Sequence, residues 1–320
     1  MIGAMNAHST SLPGSIWGIT TFFNPGSYNT KYKNFKKFQS NLVQQGLPLL
    51  VVELAFSNAD FELSQADSDI LIQVRSRSIL WQKERLLNLA LTHLPKDCDK
   101  VVWLDSDIIF QNNDWIHQTS KLLEIYRVIQ PFSEAVRLPK DFSEGNWVNA
   151  RAGFDPLPRF SAATSVILGI GEEGHPGYAW ATRRETIQEL GFFDLMVVGG
   201  ADRVMSATFL GIPENQIMAA DQSKVNYSVE FSNLLEQWQK NANILIQQSV
   251  SFVPGFLFHL NHGENKNRNY VKRHELLKKF QFNPKVDLAL NQEGVWEWSS
   301  NRVDLQNAVR DYFLSRREDD

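Results

Sequence analysis

Apolar and polar positions alternate in blocks along the 320-residue chain. Residues 15–22 (Ser-Ile-Trp-Gly-Ile-Thr-Thr-Phe) read as a buried strand, closed by the turn-formers Asn24-Pro25-Gly26-Ser27. Residues 31–46 carry a helical pattern that stops at Gly46, and after Pro48 a short, partly β-branched run over 49–54 is broken only by Glu53. Strand, helix, strand is the signature of a parallel α/β sheet. Residues 78–94 predict the next helix, with Leu80, Leu87, Leu91 and Leu94 on one stripe and Pro95 as its stop. Residues 100–110 read as one buried strand interrupted only by Asp105-Ser106-Asp107. Residues 131–165, with Pro131, Pro139, Pro156 and Pro158, predict an irregular loop of a length that is more often functional than idle. Order returns over 178–184. A helix at 230–248, a last strand at 251–260 and a charged tail from about 266, helical in two pieces, complete the pattern.

Composition narrows the function classes. With 43% hydrophobic and 21% charged residues the chain has the makings of a large core, in one domain or at most two. A net charge of −4 supplies no sustained basic field for phosphate backbones, so nucleic acid is not expected as a partner. Cys98 is the only cysteine, which excludes an intramolecular disulfide and a thiol-rich metal site. No run approaches the length of a membrane span or a signal-peptide core, so the expected compartment is the cytoplasm.

Asp105-Ser106-Asp107 is the most informative triplet. On an extended chain residues i and i+2 share a side, so two carboxylates would converge at the rim of the sheet. Burying like charges that close is costly unless something neutralises them, and oxygen ligands suit Mg²⁺ or Mn²⁺. The alternative is a pair of turn or capping aspartates. A haloacid dehalogenase-type phosphatase also places such a triplet after an apolar strand, but near the N-terminus and with Thr or Val four places on, where this chain has Ile109. Later, His259 and His262 follow the apolar stretch 252–257 and precede Gly263. A regular strand would send residues i and i+3 to opposite faces, so joint ligation requires a bend at Leu260-Asn261. The alternative is one hydrogen-bonded core histidine and one turn histidine. A mixed oxygen and nitrogen set favours Mn²⁺ over Mg²⁺.

These residues, taken with their neighbours, resemble a known family. Trp81-Gln82-Lys83-Glu84-Arg85-Leu86-Leu87-Asn88, followed by a strand ending in Asp-x-Asp, is similar to the donor half of GT-A glycosyltransferases, most like the inverting β-1,4-galactosyltransferase and family 2-like groups. Gly177-Tyr178-Ala179-Trp180-Ala181, Leu190-Gly191-Phe192-Phe193-Asp194, Gly199-Gly200-Ala201-Asp202 and His262-Gly263-Glu264-Asn265-Lys266-Asn267 follow in the family's order. The resemblance spans roughly residues 16–268.

The resemblance implies a Rossmann-like, mixed, mainly parallel sheet flanked by helices over residues 13–268, with a helical extension over 269–320. It implies a sugar nucleotide donor, UDP favoured, and a carbohydrate or other hydroxyl acceptor. Asp107 would be the main metal ligand, with Asp105 supporting and His259 and His262 completing the shell. Asp202 would be the general base, with a helix N-cap as its ordinary alternative. Phe22, Asn24, Glu53, Trp81, Lys83, Ser106 and Lys266 would face the donor, and Trp180, Gly199 and Gly200, with Asp202, the acceptor sugar. Arg268 and Lys266 lie close enough in sequence to the histidines for one to clamp pyrophosphate. Two departures, Ala201 before the base and Val197-Val198 before the glycines, remove any implication of galactose transfer to a GlcNAc-like acceptor. A sugar-nucleotide nucleotidyltransferase and a silent glycan-binding protein on the same fold are the competing readings; the first lacks its Gly-rich, basic loop near residues 16–27.

Overall fold

The computed structural model describes residues 9–140, 159–164, 174–212, 228–268 and 272–319. Among them, strands β1 (Ser15–Phe23), β2 (Leu49–Phe56), β3 (Ile70–Ser76) and β4 (Cys98–Leu104) form the parallel heart of a seven-stranded sheet. A smaller five-stranded sheet begins with β5 (Ile108–Phe110). Then come β6 (Val128–Gln130), β7 (Glu134–Arg137), β8 (Arg159–Ala162), β9 (Gly174–His175), β10 (Ala179–Arg183), β11 (Val250–Phe252) and β12 (Phe256–His259). The large sheet runs β11-β6-β10-β4-β1-β2-β3, with β10 antiparallel to both of its neighbours; the small one runs β5-β12-β7-β8-β9. A hairpin of β13 (Leu288–Leu290) and β14 (Trp296–Trp298) lies in the tail.

The period-two rule explains why the large sheet carries a core on each face. Ile19, Leu50, Val52, Val101 and Trp103 pack on one side, under helices α2 (Lys83–Leu91), α4 (Arg184–Leu190), α5 (Ala201–Phe209) and α6 (Val229–Ile246). Phe22, Leu49, Val51, Val102 and Leu104 pack on the other, against α1 (Asn29–Gln45) and α3 (Trp115–Leu123). Helix α1 ends as its sequence predicts: Gly46, at φ +74, takes the left-handed turn and caps the Leu42 and Val43 carbonyls. The tail adds α7 (Lys272–Lys279), the short α8 (Pro284–Asp287) and α9 (Val303–Leu314), and buries Phe282 and Phe313 in the first core. The expected α/β class, a mixed and mainly parallel sheet flanked by helices with a helical extension, is the observed one.

Several boundaries differ from the sequence reading. The predicted helix over 78–94 starts only at Lys83, because the Trp81 N–H bonds the Val197 carbonyl and Gln82 brackets the Trp296 backbone with its amide. The predicted strand 100–110 is two strands in two sheets, and 251–260 likewise divides into β11 and β12. The stretch read as an irregular loop holds β7 and β8; residues 141–158 lie outside the described set. Strand β3, absent from the expectations above, is a half-exposed edge strand whose pattern is diluted by Gln73 and Arg75. No helix among the described residues is long and apolar enough to cross a membrane.

Candidate active site

The chain passes from the large sheet to the small one at 105–107, at the lip of a cavity of about 640 Å³. Strand β12 pairs with β5 so that His259 lies opposite Ile108, and the Leu260 N–H donates to the Asp107 carbonyl at 2.8 Å. That register sets His259 Nε2 3.5 Å from Asp107 Oδ2. Beyond His259 the strand stops and the backbone bends. Gly263, at φ +90, donates its N–H to Asn261 Oδ1 at 3.2 Å. The bend returns His262, whose Nε2 lies 3.7 Å from Asp107 Oδ2, and the two rings stand 4.4 Å apart, edge to face.

Burial would raise the Asp107 carboxyl, but the His259 and His262 imidazoles and the Arg268 guanidinium outweigh it and hold it well below the usual carboxylate range. Burial, with Arg268 and His259 alongside, pushes His262 well below the usual imidazole range. Asp107, His259 and His262 thus offer one carboxylate oxygen and two ring nitrogens, all within 4.8 Å of one another. The set fits a divalent cation that accepts nitrogen and oxygen. The other ring nitrogen of His262, Nδ1, is buried with no hydrogen-bond partner among the described residues.

Asp105 belongs to a second cluster. Because 105–107 is a turn and not a strand, the shared-side rule does not apply, and the two carboxylates face different partners. Asp105 Oδ1 takes Lys83 Nζ at 2.6 Å, and Oδ2 takes the Tyr178 N–H at 3.0 Å. Tyr178 itself sits at φ +75, a backbone conformation that costs energy for a residue with a side chain. The same Lys83 ammonium lies 3.0 Å and 3.2 Å from the two oxygens of Asp202. Burial opposes the Lys83 charge, but Asp105 and Asp202 outweigh it and raise the group above the usual lysine range. Asp202 stands in the first turn of α5, and Gly200 takes the N-cap position. Gly200, at φ +107, is forced: a Cβ there would lie 2.8 Å from the His274 ring. Next to Lys83, burial and the Asp202 charge push Glu84 up to about 8, and Glu84 Oε2 accepts the Trp81 indole N–H at 3.2 Å.

Of the other residues singled out by sequence, Phe22, Trp81, Lys83, Ser106 and Gly200 line the cavity. Gly199 lies beneath Trp81 and Arg273, the nearest atoms a Cβ there would meet. Asn24 holds the loop before α1, bonding the Tyr28 backbone and Glu62. Glu53 is buried and accepts from the Glu62 and Leu63 amides and from Gln73. Trp180 is core: it stacks on Trp103 at 6.5 Å and donates to the Pro176 carbonyl, an aromatic pair worth about 1 kcal/mol. The Lys266 side chain lies outside the described set. The cavity wall also contains Lys31, Arg137, His175, Arg316 and Glu318, which no local pattern marks. His175 stacks on the Tyr178 ring at 3.8 Å, and burial, helped by His259, lowers it to about 3.

No family model matches the chain, and no curated protein matches it in sequence. Among solved structures it is similar to the glucosyl-3-phosphoglycerate synthase of Mycobacterium tuberculosis, at 14% identity over 89% of this chain and 88% of that one, with a TM-score of 0.41. It is also similar to S. aureus TarS 1-349 in complex with UDP-GlcNAc, at 12% identity over 83% of this chain and 66% of that one, TM-score 0.42. A third is the catalytic domain of Drosophila beta1,4galactosyltransferase 7, at 10% identity over 60% of this chain and 59% of that one, TM-score 0.32. The chain thus spans less than two thirds of the Drosophila domain and of TarS 1-349.

Proposed function

We propose that the chain is a metal-dependent GT-A glycosyltransferase that moves a sugar from a nucleoside diphosphate, UDP favoured, onto an acceptor hydroxyl with inversion at the sugar carbon. Its transferase domain is residues 13–268, with 269–320 as a helical extension. The observation that carries the reading is that Asp107, His259 and His262 gather at the wall of the same cavity as Asp202.

Asp107, His259 and His262 would hold the cation, Mn²⁺ ahead of Mg²⁺. When bound, it supplies positive charge against the departing diphosphate. Asp202 accepts the proton of the acceptor hydroxyl as that oxygen forms its bond to the sugar carbon; the bond from that carbon to the phosphate oxygen breaks, and the diphosphate leaves with the electron pair. General-base work of this kind needs a carboxylate at about 3 Å from the hydroxyl. Lys83 fixes the direction of that carboxylate and shares its ammonium with Asp105. Gly177 leaves room beside it: a Cβ there would lie 3.5 Å from Asp202 Oδ2.

The test is UDP release from a panel of UDP-sugars, with Mn²⁺ and with a chelator. Release that requires Mn²⁺ supports the reading. Donor binding without release turns it into the silent glycan-binding alternative, and pyrophosphate formed from a nucleoside triphosphate and a sugar phosphate would replace it with the nucleotidyltransferase.

A further inference from the structure

Residues 315–319, after α9, form a strap across one wall of the cavity. Arg316 and Glu318 turn inward and are buried, while Ser315 and Arg317 face solvent. The strap is tied down at both ends. Tyr28 Oη donates to the Leu314 carbonyl at 3.2 Å and accepts the Arg317 N–H at 3.1 Å. The Asp319 carboxylate accepts the Asn29 and Thr30 N–H groups at 3.0 Å and 2.8 Å, capping α1, which has no side-chain cap of its own at Tyr28. Gly263, next to the ligand His262, lets the strap pass: a Cβ there would lie 2.7 Å from the Arg317 carbonyl oxygen.

Inside the strap the Glu318 carboxylate is the hub of a cationic cluster. Arg316 lies 2.8 Å away, Arg268 3.5 Å and Lys31 3.8 Å. The three cations come from separate parts of the chain, and all line the cavity on the side of Asp107. Arg316 also lies over the Trp81 ring at 5.2 Å, and its Nε is buried with no hydrogen-bond partner among the described residues. Buried ion clusters are expensive relative to apolar packing, so this one gains little for stability alone. Asp107 is the next carboxylate to this cluster, and three cations against Glu318 and Asp107 still leave positive charge, a match for an anion with more charge and more oxygens.

We propose that Lys31, Arg268 and Arg316 form a diphosphate subsite that Glu318 occupies as an internal stand-in, and that a bound diphosphate displaces the Glu318 carboxylate and loosens the strap. The identity of the diphosphate as part of a sugar nucleotide rests on the function proposed above; the subsite itself does not.

Inorganic pyrophosphate is the probe, titrated calorimetrically into the full chain with and without Mn²⁺. Loss of the internal competitor in Glu318→Gln is expected to tighten pyrophosphate binding about tenfold, the scale of one charge-assisted hydrogen bond. Asp319→Asn, which unties the strap and leaves Glu318 in place, should tighten it in the same direction, and decides the matter should Glu318→Gln fold poorly. Lys31→Gln should weaken it. Pyrophosphate should also speed trypsin cleavage after Arg317, the exposed arginine of the strap, in the wild-type chain. Unchanged or weaker binding in both strap variants overturns the stand-in. If those variants are unchanged while the wild type releases UDP from a donor, the strap proposal falls and the transferase stands; if they tighten while no donor turns over, the reverse holds.

Discussion

Lys83 Nζ lies 3.0 Å from Asp202 Oδ1 although 119 residues separate the two in the chain. The same ammonium faces Asp105 at 2.6 Å, so one cation serves two carboxylates in a largely buried setting. Lys83→Gln leaves both carboxylates without their counter-charge, and the expected loss is about 3 kcal/mol of unfolding free energy. Urea denaturation measures it, and a loss below about 1 kcal/mol, the scale of a surface pair, would show that solvent screens the cluster.

Asp202→Asn keeps the shape and the Lys83 contact but removes the proton acceptor. Donor affinity should stay within a few-fold of wild type while kcat for transfer falls by about 10²–10⁴. Steady-state kinetics with the best donor separates the two parameters. A variant with unchanged kcat would take the base role away from Asp202.

Glu84 gives the stability a pH dependence of known sign. Its carboxyl is raised from an ordinary 4.5 to about 8, chiefly by burial and then by Asp202. The stabilisation that goes with the neutral group is therefore full below about pH 4.5 and is lost as the pH climbs through about 8. Glu84→Gln stays neutral throughout, so its urea midpoint should gain on the wild type steadily between about pH 5 and about pH 9. Parallel midpoints over that range would mean that Glu84 ionises without penalty.

Cys98 opens β4 and is buried, and burial pushes its thiol up to about 11. As the only cysteine in the chain it gives a clean count. Native protein at about pH 8 should leave a disulfide reagent unreacted, and urea should release one thiol per chain. Rapid reaction of the native chain would indicate local opening where the start of β4 pairs with β1.

Much of the fold was legible because period-two and helical patterns are local properties. β1, α1 and β2 follow from apolar runs and one glycine. Asp107 and His262 were legible for a related reason, since each is a polar residue inside or beside an apolar strand. Their meeting was not, because it depends on the β5–β12 register and on the bend at Gly263. Asp105 and Asp107 look equivalent in sequence and differ only in which neighbour the turn presents to each. Trp180 shows the reverse: an aromatic residue in a family-like motif that tertiary packing puts in the core against Trp103. Arg316 and Glu318 carry no local signal at all, for they reach the cavity only after α9 has packed beside α7 and Phe313 has met Trp81 at 6.4 Å.

The proposed function rests on Asp107, His259 and His262 forming one divalent-cation site. Manganese titration followed by electron paramagnetic resonance, with pulsed detection of nitrogen coupling, addresses it without reference to any sugar. A single bound Mn²⁺ coupled to two imidazole nitrogens is expected, with one coupling lost in each of His259→Ala and His262→Ala, and binding weakened by about 100-fold or more in Asp107→Ala. Bound manganese without nitrogen coupling, or with affinity indifferent to Asp107, would contradict it.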